Sequence, residues 1–323
     1  MASEFDLISR FFANKQAYRS DVTLGAGDDC AILTPPKGKQ IVTSTDMLLS
    51  GSHFLPNVDP AWLAHKSLAC NLSDLAAMGA EPAWVSLGIS LPHYDEQWLS
   101  SFSSAFFKLA NHYNLQLIGG DTTKGHLALS LTISGFVDHD TALLRTGAKV
   151  GDDIYVSGHL GAAAAGLAVM LEREKYTSPL DLTLLKQHFY SDPRVNLGLA
   201  LRNVAHSAID ISDGVLADLK HILAASKVGA EIHLQNMPVS NDVIQWCHHD
   251  IEAAQMLALK SGEEYELCFT VGKEHALKVQ EISATLGIPL TKIGEVIQQA
   301  GLHCYNQDHP FMPSEFGHDH FKK

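Results

Sequence analysis

Basic residues are scarce in this chain: 23 Lys and Arg stand against 36 Asp and Glu, a formal net charge of −13 over 323 residues. That balance argues against broad nucleic-acid binding, which needs a basic face to neutralise phosphates. No apolar run approaches the roughly 20 residues of a spanning helix, and Met1 to Arg19 has no signal-peptide core, so a membrane is not expected. Cysteines number only five (Cys30, Cys70, Cys247, Cys268, Cys304), are widely spaced and form no Cys-x-x-Cys. They read as reduced cytosolic thiols in or near core segments, which places the chain in the cytoplasm. Cys30, running into Ala31-Ile32-Leu33, reads as packed. There is no Walker-type Gly-Lys-Ser/Thr and no complete dinucleotide fingerprint. The 18 histidines form no spacing that defines a metal site, and His318-Asp319-His320 reads as a solvated tail.

What the chain does have is a set of five short segments that each place Asp beside Gly, Ser or Thr. They are Gly27-Asp28-Asp29, Ser44-Thr45-Asp46, Asn71-Leu72-Ser73-Asp74, Gly119-Gly120-Asp121-Thr122-Thr123 and Asp210-Ile211-Ser212-Asp213-Gly214. Two carboxylates about 4 Å apart repel by roughly 1 kcal/mol in water and roughly 4 at a partly buried site, so a convergent set needs cations. Hard oxygen ligands with open coordination positions suit Mg²⁺, which usually reaches a protein through one or two carboxylates and substrate phosphates. The residues therefore point to a Mg²⁺–phosphate site.

The pattern of elements predicts an α/β or α+β protein of two domains, residues 1–148 and 149–323. Phe5, Ile8, Phe11 and Phe12 predict a helix within residues 1–20. Asp59-Pro60 caps a helix that runs to about Ala77 and stops at Gly79. Asp46, Asp121 and Asp210 are each expected at or just after the end of an apolar β run, and Asp74 near a helix C-terminus, where the dipole disfavours an acid. Ser-Asp-Gly at 212–214 is expected to cap the helix that follows.

Several motifs read two ways. Any one of the acids is also explained as a turn residue. Gly158 to Gly161, opening an Ala-rich helix, suits either an anion at the helix N-terminus or close packing of that helix. Arg145 suits phosphate or solvent. Glu263-Glu264-Tyr265-Glu266 suits a cationic heterocycle or a solvated turn.

Taken in order, these motifs resemble the thiamine-monophosphate kinases of the superfamily that includes aminoimidazole ribonucleotide synthetase and selenophosphate synthetase. The likeness spans nearly the whole chain and includes His53-Phe54, the run from His65 to Ala80 and the terminal Gly317-His318-Asp319-His320-Phe321. It implies ATP-dependent, in-line phosphorylation of thiamine monophosphate to thiamine diphosphate, with several Mg²⁺ ions between acids and phosphates. By motif position the metal ligands would be Asp29, Ser44, Thr45, Asp46, Asp74, Asp121, Asp210 and Asp213, with Asp46, Asp74, Asp121 and Asp210 central to catalysis. Gly120, Asp121, Arg145 and Ser212 would hold ATP, and His53, Glu263 and Phe316 the thiamine phosphate. The resemblance also implies a homodimer whose N-terminal domains close a shared β-barrel, and a C-terminal α/β domain that completes the substrate cleft.

The chain departs from that pattern where Gly-Gly-Glu-Asp-Tyr-Glu becomes Ser261-Gly262-Glu263-Glu264-Tyr265-Glu266, and where Thr-Thr-Arg-Gly becomes Thr122-Thr123-Lys124-Gly125. Two other readings compete: a sister ATP-dependent synthetase acting on another acceptor, and a non-catalytic protein that binds a metal or thiamine phosphate.

Overall fold

The computed structural model describes residues 10–12, 16, 18–172 and 178–313. Most of the helix expected within 1–20, the residue Phe316 and the terminal motif lie outside the described residues. The chain divides into two compact units, Met1–Leu75 with Ala80–Asp140, and Ala76–Gly79 with Thr141–Lys323.

In the first unit β1 (Val22–Leu24) and β2 (Ile32–Leu33) form a short antiparallel hairpin. The main sheet comprises β3 (Lys39–Leu49), β4 (Glu81–Leu91), β5 (Gln116–Lys124) and β6 (Ala128–Asp138), in the order β3-β6-β4-β5. Only the β4–β5 pair is parallel. Helix α1 (Pro60–Ala77) follows β3, and α2 (Glu96–His112) follows β4. Asp59 accepts the Ala61 amide at 2.8 Å, and Pro60, which has no N–H to satisfy, opens the first turn. Gly79, at φ +63°, ends the run.

Side chains alternate across the sheet. One face carries Val85, Leu87, Leu129, Leu131 and Ile133, all buried. The other carries Ser86, Ser130 and Thr132, partly exposed, and on β3 the exposed Ile41, Met47 and Leu49. β3 and β5 are the two edges, and among the described residues the sheet is open, not a closed barrel.

Two expectations need correction. Asp46 and Asp121 do not end strands: β3 continues to Leu49, and β5 passes through Gly119-Gly120-Asp121 to Lys124. Gly120 stands opposite Leu87, and a Cβ there would lie 1.9 Å from the Leu87 carbonyl oxygen. Glycine thus allows the close pairing of β5 with β4 that the sequence suggested it would end. Cys30 is exposed, not packed, because it lies in the loop between β1 and β2, where Ile32 is exposed as well.

The second unit is built on β7 (Asp153–Ser157), β8 (Ser207–Asp210), β9 (Gly229–His233), β10 (Leu267–Val271), β11 (Leu290–Ile297), β12 (Gly301–Asn306) and β13 (His309–Phe311). Their order is β13-β12-β9-β11-β7-β10-β8, antiparallel except for β12 with β9. Its helices are α3 (Ala162–Glu172), α4 (Pro179–Phe189), α5 (Val195–Leu201), α6 (Val215–Ser226), α7 (Asn241–Trp246), α8 (Ile251–Lys260) and α9 (Ala276–Leu286). Ile154, Val156, Ile209, Leu216, Leu219, Ile232 and Ile293 are among the residues that form its core. α3 and α4 pack closely because Gly166 has no side chain: a Cβ there would meet the Leu184 carbonyl at 2.4 Å. The stretch 240–260 divides into α7 and α8 at His248 and His249, both at positive φ, after which Asp250 caps α8.

Candidate active site

Ser44 and Asp46 are two residues apart on β3, so their side chains share a face. α1 presents Cys70 and Asp74, one turn apart, to that face. Ser44 Oγ donates to Asp74 Oδ2 at 2.5 Å, and the Cys70 thiol, which donates to the Ser67 carbonyl at 3.1 Å, lies beside Asp46. Burial, and then the charge of Asp74, push the Asp46 carboxyl from 3.8 up to about 6. Burial and the same two acids raise the Cys70 thiol well above its ordinary value, and the fully buried Lys66, one turn earlier, partly offsets them. Two partly buried carboxylates that repel each other, with a hydroxyl between strand and helix, form a hard-oxygen site that a cation would relieve. No group of three or more His, Cys, Asp or Glu is gathered for a metal among the described residues. Two carboxylates suffice for Mg²⁺ when phosphate and water complete its shell.

The other expected residues of this unit stand apart from the pair. Thr45 lies on the opposite face of β3, its hydroxyl 2.8 Å from that of Thr132. Gly120 completes the cross-sheet row Asp46, Leu131, Leu87, Gly120. Asp121 belongs to the neighbouring row with Met47, Ser130 and Gly88, and therefore to the other face. Three strand spacings of about 4.8 Å put it ~14 Å from Asp46. Asp29 is exposed in the β1–β2 loop, its amide donating to Asp28 Oδ1 at 2.8 Å, which makes Asp28 the turn residue. His53 follows β3, and its Nδ1 accepts the Leu49 amide at 3.1 Å, so a neutral ring carries its proton on Nε2.

In the second unit Asp210 ends β8, the edge strand, and is 5% exposed. Ser212 and Asp213 follow it, but neither caps α6. Instead Asp218, from the first turn of that helix, turns Oδ2 back to accept the amides of Ser212 (3.0 Å), Asp213 (3.1 Å) and Gly214 (3.0 Å). Burial, with Asp213 adding to it, raises Asp218 to about 7 despite those three bonds. Gly214 of the expected Ser-Asp-Gly is thus the N-cap, but no side chain of that triplet closes the helix, and Asp218 is a residue that sequence reasoning missed. Its one signal was an acid four residues past Gly214, in a first turn where the helix dipole favours negative charge. Arg145 lies in an irregular segment held through its main chain, the Leu144 carbonyl accepting the Ala208 amide at 2.9 Å, and its own side chain is exposed.

The Glu263 segment is tied to the same loop. The Glu263 amide donates to the Ser212 carbonyl at 2.7 Å, and the Tyr265 amide to that of Ile211 at 2.9 Å. Glu263 and Tyr265 both adopt positive φ, +58° and +54°. Glu263 Oε2 lies 3.8 Å from Nε2 of the buried His188, whose Nδ1 donates to the Ala163 carbonyl at 2.9 Å. Glu264 points the other way, into the start of α3, and Glu266 is enclosed by Arg194 and Ser157. The amino end of α3, one candidate anion site in the sequence, is thus occupied by the chain's own Glu264 carboxyl group. His188, Arg194 and Ser157 were not marked in the sequence, since nothing in their spacing distinguishes them.

Residues 27–137 match the model of the AIR synthase related protein N-terminal domain, and residues 149–305 that of the corresponding C-terminal domain. Over 320 residues the chain is 48% identical to thiamine-monophosphate kinase of Escherichia coli K12, covering 98% of each chain. Among solved structures it is similar to thiamine-monophosphate kinase from Stenotrophomonas maltophilia, with a TM-score of 0.87 and 41% identity over 95% of this chain and 98% of that one. It is also similar to AaThiL complexed with AMPPCP and TMP, with a TM-score of 0.78 and 28% identity over 88% of this chain and 89% of the other.

Proposed function

We infer the reaction from one premise: the chain belongs to the AIR synthase related family and, within it, to the thiamine-monophosphate kinases. It phosphorylates thiamine monophosphate with ATP to give thiamine diphosphate. The observation in this chain that carries the chemistry is the partly buried Asp46–Asp74 pair, with Ser44 hydrogen-bonded to Asp74. An oxygen of the acceptor phosphate, already anionic at neutral pH, attacks the γ-phosphorus of ATP. The bond from that phosphorus to the bridging oxygen breaks, and ADP leaves with the electron pair. No strong base is required, so the chain's task is alignment and charge balance.

The residues assigned to Mg²⁺ are Asp29, Ser44, Asp46, Asp74, Asp121, Asp210 and Asp213, with Thr45 contributing through its main chain because its hydroxyl faces away. Bound there, Mg²⁺ would neutralise the phosphates and stabilise charge on the transferring group. Gly120, Asp121, Arg145 and Ser212 bind ATP in this reading. The Nε2 proton of His53 suits the acceptor phosphate, and the Glu263 carboxylate suits the cationic thiazolium ring.

The enzyme is further read as a cytoplasmic homodimer. No described helix is long and apolar enough to cross a membrane, and none of the five cysteines is in a disulfide. β3 is an unpaired edge whose outer face shows Ile41, Met47 and Leu49, the kind of surface that a second copy covers.

The test is ADP release measured with a panel of phosphate acceptors. Release that depends on thiamine monophosphate supports the reading. Release with a different acceptor only would favour a sister synthetase, and binding without release a non-catalytic protein.

A further inference from the structure

We propose that Ser261 and Glu264 are positioning residues that fasten the Glu263 loop to the amino end of α3, and so set where Glu263 meets the thiamine ring. The proposal rests on the reading of Glu263 as a substrate residue. The first turn of a helix leaves amides without partners inside the helix, and a local Ser, Thr, Asp or Asn usually supplies them. Here the partners come from about a hundred positions away. Glu264 Oε1 accepts the Gly161 amide at 2.7 Å and the Ala163 amide at 3.3 Å. Ser261 Oγ accepts the Ala164 amide at 3.2 Å while donating its own proton to Glu264 Oε1. Ser261 is 2% exposed, so this hydroxyl has little access to water as an alternative partner.

These bonds hold one side of the loop, and the amides of Glu263 and Tyr265, bound to Ser212 and Ile211, hold the other. Between the two anchors Glu263 is kept at φ +58°, a conformation a non-glycine residue rarely adopts and keeps only when its surroundings enforce it. The Glu263 carboxylate also faces His188, which is itself bonded to Ala163. The amino end of α3 therefore serves as the common reference point for the whole loop. Ser261 and Glu264, the two departures from the family pattern in this segment, touch each other and act as one clasp.

The test compares steady-state kinetics of the Mg²⁺–ATP enzyme with those of Glu264→Ala, Glu264→Gln, Ser261→Ala, Glu263→Gln and the double variant Glu263→Gln/Glu264→Ala. Glu264→Ala is expected to raise KM for thiamine monophosphate about tenfold, with KM for ATP moving less than about twofold. Glu264→Gln, which keeps an oxygen acceptor, should recover most of that loss. In the Glu263→Gln background, loss of Glu264 should add less than about twofold, because the two act through one carboxylate. If Glu263→Gln raises KM but Glu264→Ala and Ser261→Ala do not, the clasp is overturned and Glu263 keeps its role. If Glu263→Gln leaves KM unchanged, the role of Glu263 fails and the clasp's function fails with it. Should Glu264→Ala not fold, Ser261→Ala alone and combined with Glu263→Gln carries the same comparison.

Discussion

Asp46 and Asp121 stand in adjacent rows of one four-stranded sheet, yet on opposite edges and opposite faces. About 14 Å apart in one chain, they do not ligate one ion together unless a partner copy supplies one of them, which subunit complementation tests. Asp46→Asn and Asp121→Asn homodimers should each be inactive. Reassorted in equal amounts, they should regain about a quarter of wild-type activity, since half the dimers are mixed and each mixed dimer has one intact site. Activity that stays at the level of the single variants would place Asp121 in the same-chain site or outside it.

Removing one acid of the Asp46–Asp74 pair tests its role more directly. Asp74→Asn should lower kcat about a thousandfold or more, the scale of losing charge stabilisation in phosphoryl transfer. The melting temperature should not fall, because removing one of two repelling carboxylates relieves strain on Asp46. Near wild-type turnover with Mg²⁺ would remove the pair from the mechanism.

Asp218 is expected to matter for folding rather than for the metal. Asp218→Ala leaves the amides of Ser212, Asp213 and Gly214 without their acceptor at a site where Asp218 is only 3% exposed. The loss should be about 2–4 kcal/mol in denaturant unfolding. Asp218→Asn retains an oxygen and should lose much less, so equal losses would show that charge, not the hydrogen bonds, holds the loop.

Glu264 gives a pH signature. Burial raises its carboxyl from 4.5 to about 8, against the opposing bonds from Ser261, Gly161 and Ala163. The folded state then binds more protons than the unfolded state between those values, so this group's contribution to stability is full below about pH 4.5 and declines as pH rises toward 8. Glu264→Gln should flatten the stability profile across that window relative to wild type. Parallel profiles for the two proteins would show that the carboxyl is ionised throughout.

The sequence revealed the Asp46 and Asp74 motifs because short acids beside hydroxyl residues stand out in any chain, whereas their pairing became visible only when β3 was seen to run past Asp46 beside α1. It also showed α1, where Asp59-Pro60 is a local cap signal and Gly79 a local stop. What it concealed depends on contacts far apart in the chain. Gly119-Gly120 looked like a strand end until its partner Leu87 showed why a Cβ is excluded. Asp218 went unmarked, and the partners of Glu264 were hidden, because the amides they bind come from another turn of chain or another element altogether. Cys30 was misread because an apolar run predicts burial only when something covers it.

The most direct measurement is phosphorus NMR of the purified protein with ATP, Mg²⁺ and thiamine monophosphate. Thiamine diphosphate and ADP should appear in equal amounts, and chelation of Mg²⁺ should stop both. ADP formed at the same rate without thiamine monophosphate, or no thiamine diphosphate at any Mg²⁺ concentration, would contradict the assignment of this chain as the kinase.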